Sequence, residues 1–458
     1  MKRKKSQLDS GITYTRKFYK TTLPALLALP FLLVCTFVLT MEAAAQFKPA
    51  ANSSDFRSDK NYDYSAIDRY ALKAPSSSES SIPSLASYLF KTAENDKEKV
   101  RAIFRWITSR ISYDTAAFFS GSYVDTSPAG VLRSRSSICM GYAGLFKALC
   151  DHADIECVII NGYAKGYGYR VGDRIGGRTN HSWNAVNING KWRLVDPTWG
   201  AGYLDSRGKF LKKYEEFYFF TPPHFFLTGH LPASSQWQFL DKPITAKQYA
   251  ELPKLKPQFF KLGFNLDNLS HKKIEIQTGK RLDVRLKSNR PVALIANIED
   301  GRGQEVPDTT LVRLSSGEVT VSAVFKRSGE YILRIYGKQK IEKKKYLHIV
   351  SYKIYAKVKK PNARACYPKT FNSYSTKDAY LFSPLRGYLK IGRDYTFRIK
   401  LPGAQRVAVV AGKKWNHLKQ EGIGIFEGRF TAERKIIEIY AQYPGKENYT
   451  AIIRYTGY

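Results

Sequence analysis

Three residues of this chain are typed and spaced for nucleophilic chemistry: a cysteine at a helix start, then a histidine and an aspartate on one hairpin. The segment SSICMGYAGLFKALCDHAD sets Ile138, Tyr142, Leu145, Phe146 and Leu149 at helical spacing, with Ser137 as the expected N-cap. Cys139 then falls in the first turn. Unpaired backbone N–H groups and the positive end of the helix dipole stabilise a thiolate there, which raises the reactive fraction of the thiol. Cys150 lies deep in the same helix and reads as structural.

A thiolate nucleophile needs a base that passes a proton to the leaving group, and the base needs a partner to orient it. His181 opens HSWNAVNINGKWRLVDPTWG, where two strand-like runs flank Asn189-Gly190, a strong two-residue turn signal. That turn pairs Ile188 with Lys191 and, if the strands continue, sets His181 opposite Thr198. Asp196 is then a diagonal neighbour of His181 on the same face. The run Cys150-Asp151-His152 has similar residue types, but neighbours along one helix do not converge on a reacting atom. His224 and His230 flank FFLTG without metal-ligand spacing, and CxxC and HExxH do not occur, so neither a metal nor a cofactor is expected.

The surrounding elements must hold these residues. From Asp96 to Tyr113, Val100, Ile103, Phe104, Ile107 and Ile111 recur at helical spacing, which predicts a core-facing helix. Residues 46–90 are Ser-rich and weakly periodic and read as a linker with at most a short ordered stretch. Beyond about residue 250, KRLDVRLK, PVALIANI, EVTVSAVF and EYILRIYG read as strands, followed by DYTFRIKL, RVAVVAG, IFEGRF, IIEIYAQY and YTAIIRY. The expected order is a core domain over 91–250 and two all-β sandwiches over 251–358 and 359–458.

The chain of 458 residues is too long for one ordinary core, and 43% hydrophobic residues suffice for several. A basic N-terminus, the apolar run TTLPALLALPFLLVCTFVLT and Ala43-Ala44-Ala45 predict a signal peptide over 1–45, hence export to the periplasm, cell surface or medium. An uncleaved membrane anchor is the alternative. Cys139, Cys150, Cys157 and Cys366 remain beyond the leader and do not form a disulfide framework. Net charge is +35, most of it outside the leader, which favours anionic envelope polymers as partners; nucleic acid is not expected for an exported chain.

The blocks KVRAIFRWITSRISYD, SSICMGYAGLFKALC and NHSWNAVNINGKWRLVDPTWG resemble the transglutaminase-like superfamily, and PPHFFLTGHLPASSQWQFL resembles its kyphoscoliosis peptidase branch. The resemblance implies an α+β papain-like core followed by immunoglobulin-like sandwiches, with Cys139, His181 and Asp196 at the family's catalytic positions. It also implies acyl transfer through an acyl-enzyme on a protein or peptide substrate, as a peptidase or amidase. A cross-linking acyltransferase and a non-catalytic envelope adhesion or scaffold protein are the alternatives. The Cys139 backbone N–H is the one oxyanion donor the sequence names. N-terminal sequencing of protein recovered from its native host should begin near Gln46; recovery of an intact Met1 terminus in a membrane fraction would establish an anchor instead.

Overall fold

Residues 62–458, apart from 272, 316, 343 and 344, are described by a computed structural model. The leader, its cleavage site and the first part of the Ser-rich segment lie outside the described residues. The second part of that segment is not a linker. It forms α1 (Ser65–Leu72) and α2 (Ile82–Phe90), which bury Ile67, Ala71, Leu85 and Leu89 in the main core. Its serines and prolines act as punctuation: Ser81 caps α2 by accepting the Ser84 N–H, and a proline stands in the first turn.

Next comes α3 (Asp96–Arg110), capped by Asn95, whose side chain accepts the Glu98 N–H at 3.1 Å. Val100, Ile103, Phe104 and Ile107 form its buried face, as the periodicity predicts. Two short helices, α4 (Thr115–Ser120) and α5 (Pro128–Ser134), lead to α6 (Cys139–Asp151), which buries Tyr142, Leu145, Phe146 and Leu149. Ser137 does not cap this helix. It pairs with Tyr113 in a two-residue parallel bridge, and the extended Ile138 occupies the cap position without a side-chain bond. Gly141 is required in the first turn because a Cβ there would overlap the Ser137 side chain.

The helices pack on an antiparallel sheet of β1 (Cys157–Ala164), β2 (His181–Ile188), β3 (Lys191–Val195), β4 (Phe219–Thr221) and β5 (His230–Pro232), in the order β4-β3-β2-β1-β5. Asn189 and Gly190 turn the β2–β3 hairpin in left-handed conformations, and Ile188 pairs with Lys191 as expected. The ladder ends at Val195. Pro197 cannot donate to it, and the chain turns into α7 (Pro197–Ala201), so Thr198 is helical and does not face His181 across a strand pair. On the helix side of β2, the buried Asn184 amide donates to the Ala143 carbonyl at 3.1 Å and the Val158 carbonyl at 3.3 Å, which fixes α6 against the sheet.

Two β-sandwiches follow. The first has a core running from Leu255 to Val358, with the strand Arg281–Lys287 in one sheet and Val292–Asp300 and Gly329–Gln339 in the other. The second packs Asp394–Lys400 and Ile425–Thr431 against Arg406–Ala411, Ile436–Gln442 and Thr450–Gly457. Alternation of buried and exposed residues along Arg281–Lys287 is strict, as a half-buried strand requires.

If α2 is part of the core domain, Leu85→Ala should destabilise it by about 2–5 kcal/mol in denaturant unfolding. A change within about 0.5 kcal/mol, the size seen at indifferent surface positions, would return the segment to a linker.

Candidate active site

The site forms where the start of α6 meets the start of β2 and the end of β3. Cys139 is the first residue of α6, and its thiol lies close enough to His181, the first residue of β2, for each group to shift the other's titration. On its other side His181 directs Nε2 at Asp196 Oδ2, 2.8 Å away. With Nε2 engaged there, Nδ1 is the ring nitrogen left for the thiol. The fold therefore brings together all three residues picked out by type and spacing.

Asp196 is fully buried and every side of its carboxylate is occupied. Oδ1 accepts the N–H groups of Thr198 and Trp199, each at 2.9 Å, as the N-cap of α7. Oδ2 takes His181 and also His230, whose Nε2 is 2.9 Å away. His230 is the residue missed in the sequence. It enters on the edge strand β5, which pairs with β1 and not with the hairpin, so no local spacing ties it to Asp196. The block PPHFFLTGHLP was the available signal, and its second histidine is the one that reaches the site. His230 is packed among Trp199, Phe226 and Trp183, with ring centroids at 4.3, 4.1 and 5.1 Å.

Burial alone would push the Cys139 thiol up. The hydrogen bond and positive charge of His181, followed by the Ser182 backbone N–H, outweigh it and bring the thiol below its ordinary value. His181 also loses solvation, but the Asp196 carboxylate and the Cys139 sulfur raise it to about 10. Asp196, despite burial, is held well below the usual carboxylate range by His181 and then His230. Burial dominates at His230 and pushes it down to about 4 against the pull of Asp196. Such a set favours a thiolate beside an imidazolium, with the second histidine neutral.

His181, Asp196 and His230 also have the residue types of a metal site, so the expectation of no metal needs a geometric test. Their N···O separations of 2.8 and 2.9 Å are those of direct hydrogen bonds. Ligands held about 2.0–2.1 Å from a tetrahedral ion stand roughly 3.3 Å apart, so these three would have to separate to admit one.

The other cysteines have different surroundings. Cys150 and Cys157 are buried, and the four cysteines among the described residues are free thiols. Burial and the neighbouring Cys157 push Cys150 well up, and burial also raises Cys366. Alkylation by iodoacetamide, followed by mass spectrometry across pH 6–10, should therefore proceed fastest at Cys139. Its rate should rise through a midpoint below pH 9 and level off while His181 keeps its proton, up to about pH 10. Faster labelling of Cys366 or Cys157 in the native protein would remove Cys139 as the activated thiol.

Family models agree with this architecture. A family model described as transglutaminase-like superfamily matches residues 83–197, and one described as a KY-like, immunoglobulin-like domain matches residues 246–367. The chain is 38% identical over 201 residues to the human kyphoscoliosis peptidase, covering 44% of this chain and 30% of that protein. It is 34% identical over 215 residues to hillarin of Drosophila melanogaster, covering 44% and 26%. The match thus spans less than a third of these relatives. Among solved structures, a putative cysteine protease from Cytophaga hutchinsonii is 24% identical with a TM-score of 0.22, covering 34% of this chain and 48% of that one. Residues 83–197 thus carry a transglutaminase-like domain, and residues 246–367 carry a KY-like, immunoglobulin-like domain.

Proposed function

We propose that the protein is an exported cysteine peptidase or amidase that acts on protein or peptide amide bonds through Cys139, His181 and Asp196. The observation that carries this reading is the continuous line from the Cys139 thiol to His181 to the buried Asp196 carboxylate. In the proposed cycle the Cys139 thiolate attacks the amide carbonyl, and the oxyanion is met by the N–H groups at the start of α6. His181 gives its proton to the leaving amine as the C–N bond breaks and a thioester forms. Water then loses a proton to His181, attacks the thioester and releases the acid, returning the Cys139 thiolate beside the protonated imidazole. Asp196 holds the imidazole in the tautomer and orientation that both steps require.

Water is favoured as acceptor because the relatives at 38–40% identity are named peptidases. The predicted leader supports export, and the net charge of +35 supports contact with anionic envelope polymers.

Asp196→Asn keeps an oxygen to cap α7 but offers His181 and His230 an amide, so the fold should survive while tautomer control fails. Turnover of dimethylcasein, read as released amine or ammonia, should fall on the order of 10³–10⁴-fold in that variant and vanish in Cys139→Ala. EDTA should leave the rate unchanged, and recovery by calcium or zinc after EDTA loss would replace this reading with a metal site. Incorporation of monodansylcadaverine in preference to hydrolysis would identify a cross-linking enzyme. An unmodified substrate with wild-type protein and an unreactive Cys139 would leave a binding or scaffold role.

A further inference from the structure

Beside the candidate cysteine lies a group of aromatic side chains that the core does not absorb. Phe118 and Phe119 of α4 and Tyr167, on the loop between β1 and β2, are 40%, 54% and 45% exposed. They touch one another: ring centroids are 5.1 Å apart for Phe118–Phe119, 5.5 Å for Phe119–Tyr167 and 6.4 Å for Phe118–Tyr167. Three large rings held together at the surface leave apolar area that nothing among the described residues covers, which marks an interaction site more often than a packing fault.

This patch runs into the site from two directions. Tyr113 meets Phe118 edge-to-face at 5.7 Å and pairs in the backbone with Ser137, two residues before Cys139. Tyr167 follows Gly166, where a Cβ would stand 3.1 Å from the Trp199 indole, and that indole lies 5.2 Å from the His181 ring. A third segment touches the patch: in the Asp205–Gly208 turn beyond α7, a Cβ on Gly208 would come within 2.7 Å of the Phe119 ring. The patch is thus connected to Cys139 through Tyr113 and to His181 through Gly166 and Trp199.

We propose that Phe118, Phe119 and Tyr167, with Tyr113 as the link to Cys139, form a subsite for a large apolar side chain of the peptide whose carbonyl Cys139 attacks. The inference rests on the acyl-transfer reading and adds the substrate class: peptides with an aromatic or long aliphatic residue close to the scissile bond. Continuity with the thiol argues for this occupant. The rings approach Cys139 through Tyr113, so a side chain lying on them places its own backbone at the sulfur. An acidic side chain held by Arg170, Arg174 or Arg178 of the loop that carries Tyr167 is the competing occupant.

The test uses the mature full-length chain and a matched set of short peptidyl chloromethyl ketones. Phe, Leu, Gly or Asp is placed in turn at each of the two residues nearest the reactive carbonyl. The readout is the second-order rate of Cys139 alkylation by mass spectrometry, divided by the iodoacetamide rate on the same protein. Phe and Leu probes should exceed Gly and Asp probes by about 10-fold or more at one position, the discrimination expected from burying a large apolar side chain. Phe118→Ser with Phe119→Ser, both at exposed positions, should bring that ratio close to one, and Tyr167→Ser should lower it. Equal rates for Phe and Gly probes would overturn the subsite, as would a Phe preference that survives the double substitution, and a preference for Asp would assign specificity to the basic loop. A change of oligomeric state in the double variant, without a change in the ratio, would make the patch a contact between copies and also overturn the proposal. Failure of iodoacetamide itself to select Cys139 would instead defeat the acyl-transfer reading, so the two failures are distinguishable.

Discussion

The Asp196 carboxylate is the constraint around which the core domain is arranged. A buried carboxylate is costly unless every oxygen finds donors, and this one finds four: two backbone N–H groups of α7 on Oδ1 and two imidazoles on Oδ2. Satisfying it requires the hairpin to stop at Val195, a short helix to begin at Pro197, and an edge strand to return 34 residues later with His230. The same four bonds that make the burial tolerable also fix His181 beside the thiol. Stability and chemistry at this point are one arrangement.

Delivery of Cys139 depends on a second clamp. Asn184, three residues along β2 from His181, reaches across to the Ala143 carbonyl of α6, so the helix start and the strand start share one buried cross-link. Gly141 lets the first turn approach the Ser137 strand closely. The parallel bridge between Ser112–Tyr113 and Ser136–Ser137 then ties α3 to the approach of α6. Small residues and one buried amide thereby set the sulfur against the ring.

The first β-sandwich takes part in positioning the loop between β1 and β2. Lys165 at the start of that loop donates to the Tyr249 and Leu252 carbonyls, and Lys254 of the sandwich edge donates to the Tyr169 carbonyl at 3.1 Å. Burial pushes both lysines down to about 7. These bonds bracket Tyr167 from both sides and lie upstream of His181. The loop at the site is thus held in part by Lys254 from beyond the core domain, which gives the β-rich half of the chain a structural bearing on the site.

Local pattern determined much of this protein. The periodicity of α3 and α6 named their buried faces, Asn189-Gly190 fixed the hairpin register, and alternation announced the strands of both sandwiches. All of these are properties of a few consecutive residues, which is why a sequence carries them. The Ser-rich stretch before residue 90 misled because its composition is that of a linker while its sparse apolar residues gain value only against a distant core. Extending the ladder past Val195 puts Thr198 in a strand, but Pro197 ends the ladder and Thr198 is helical. Only tertiary structure brought His230 to Asp196 and gathered Phe118, Phe119 and Tyr167 from separate segments. Those contacts join residues tens of positions apart, and the free energy that decides them, burial of a carboxylate with its donors or close approach of rings, exists only once the sheet and helices have packed.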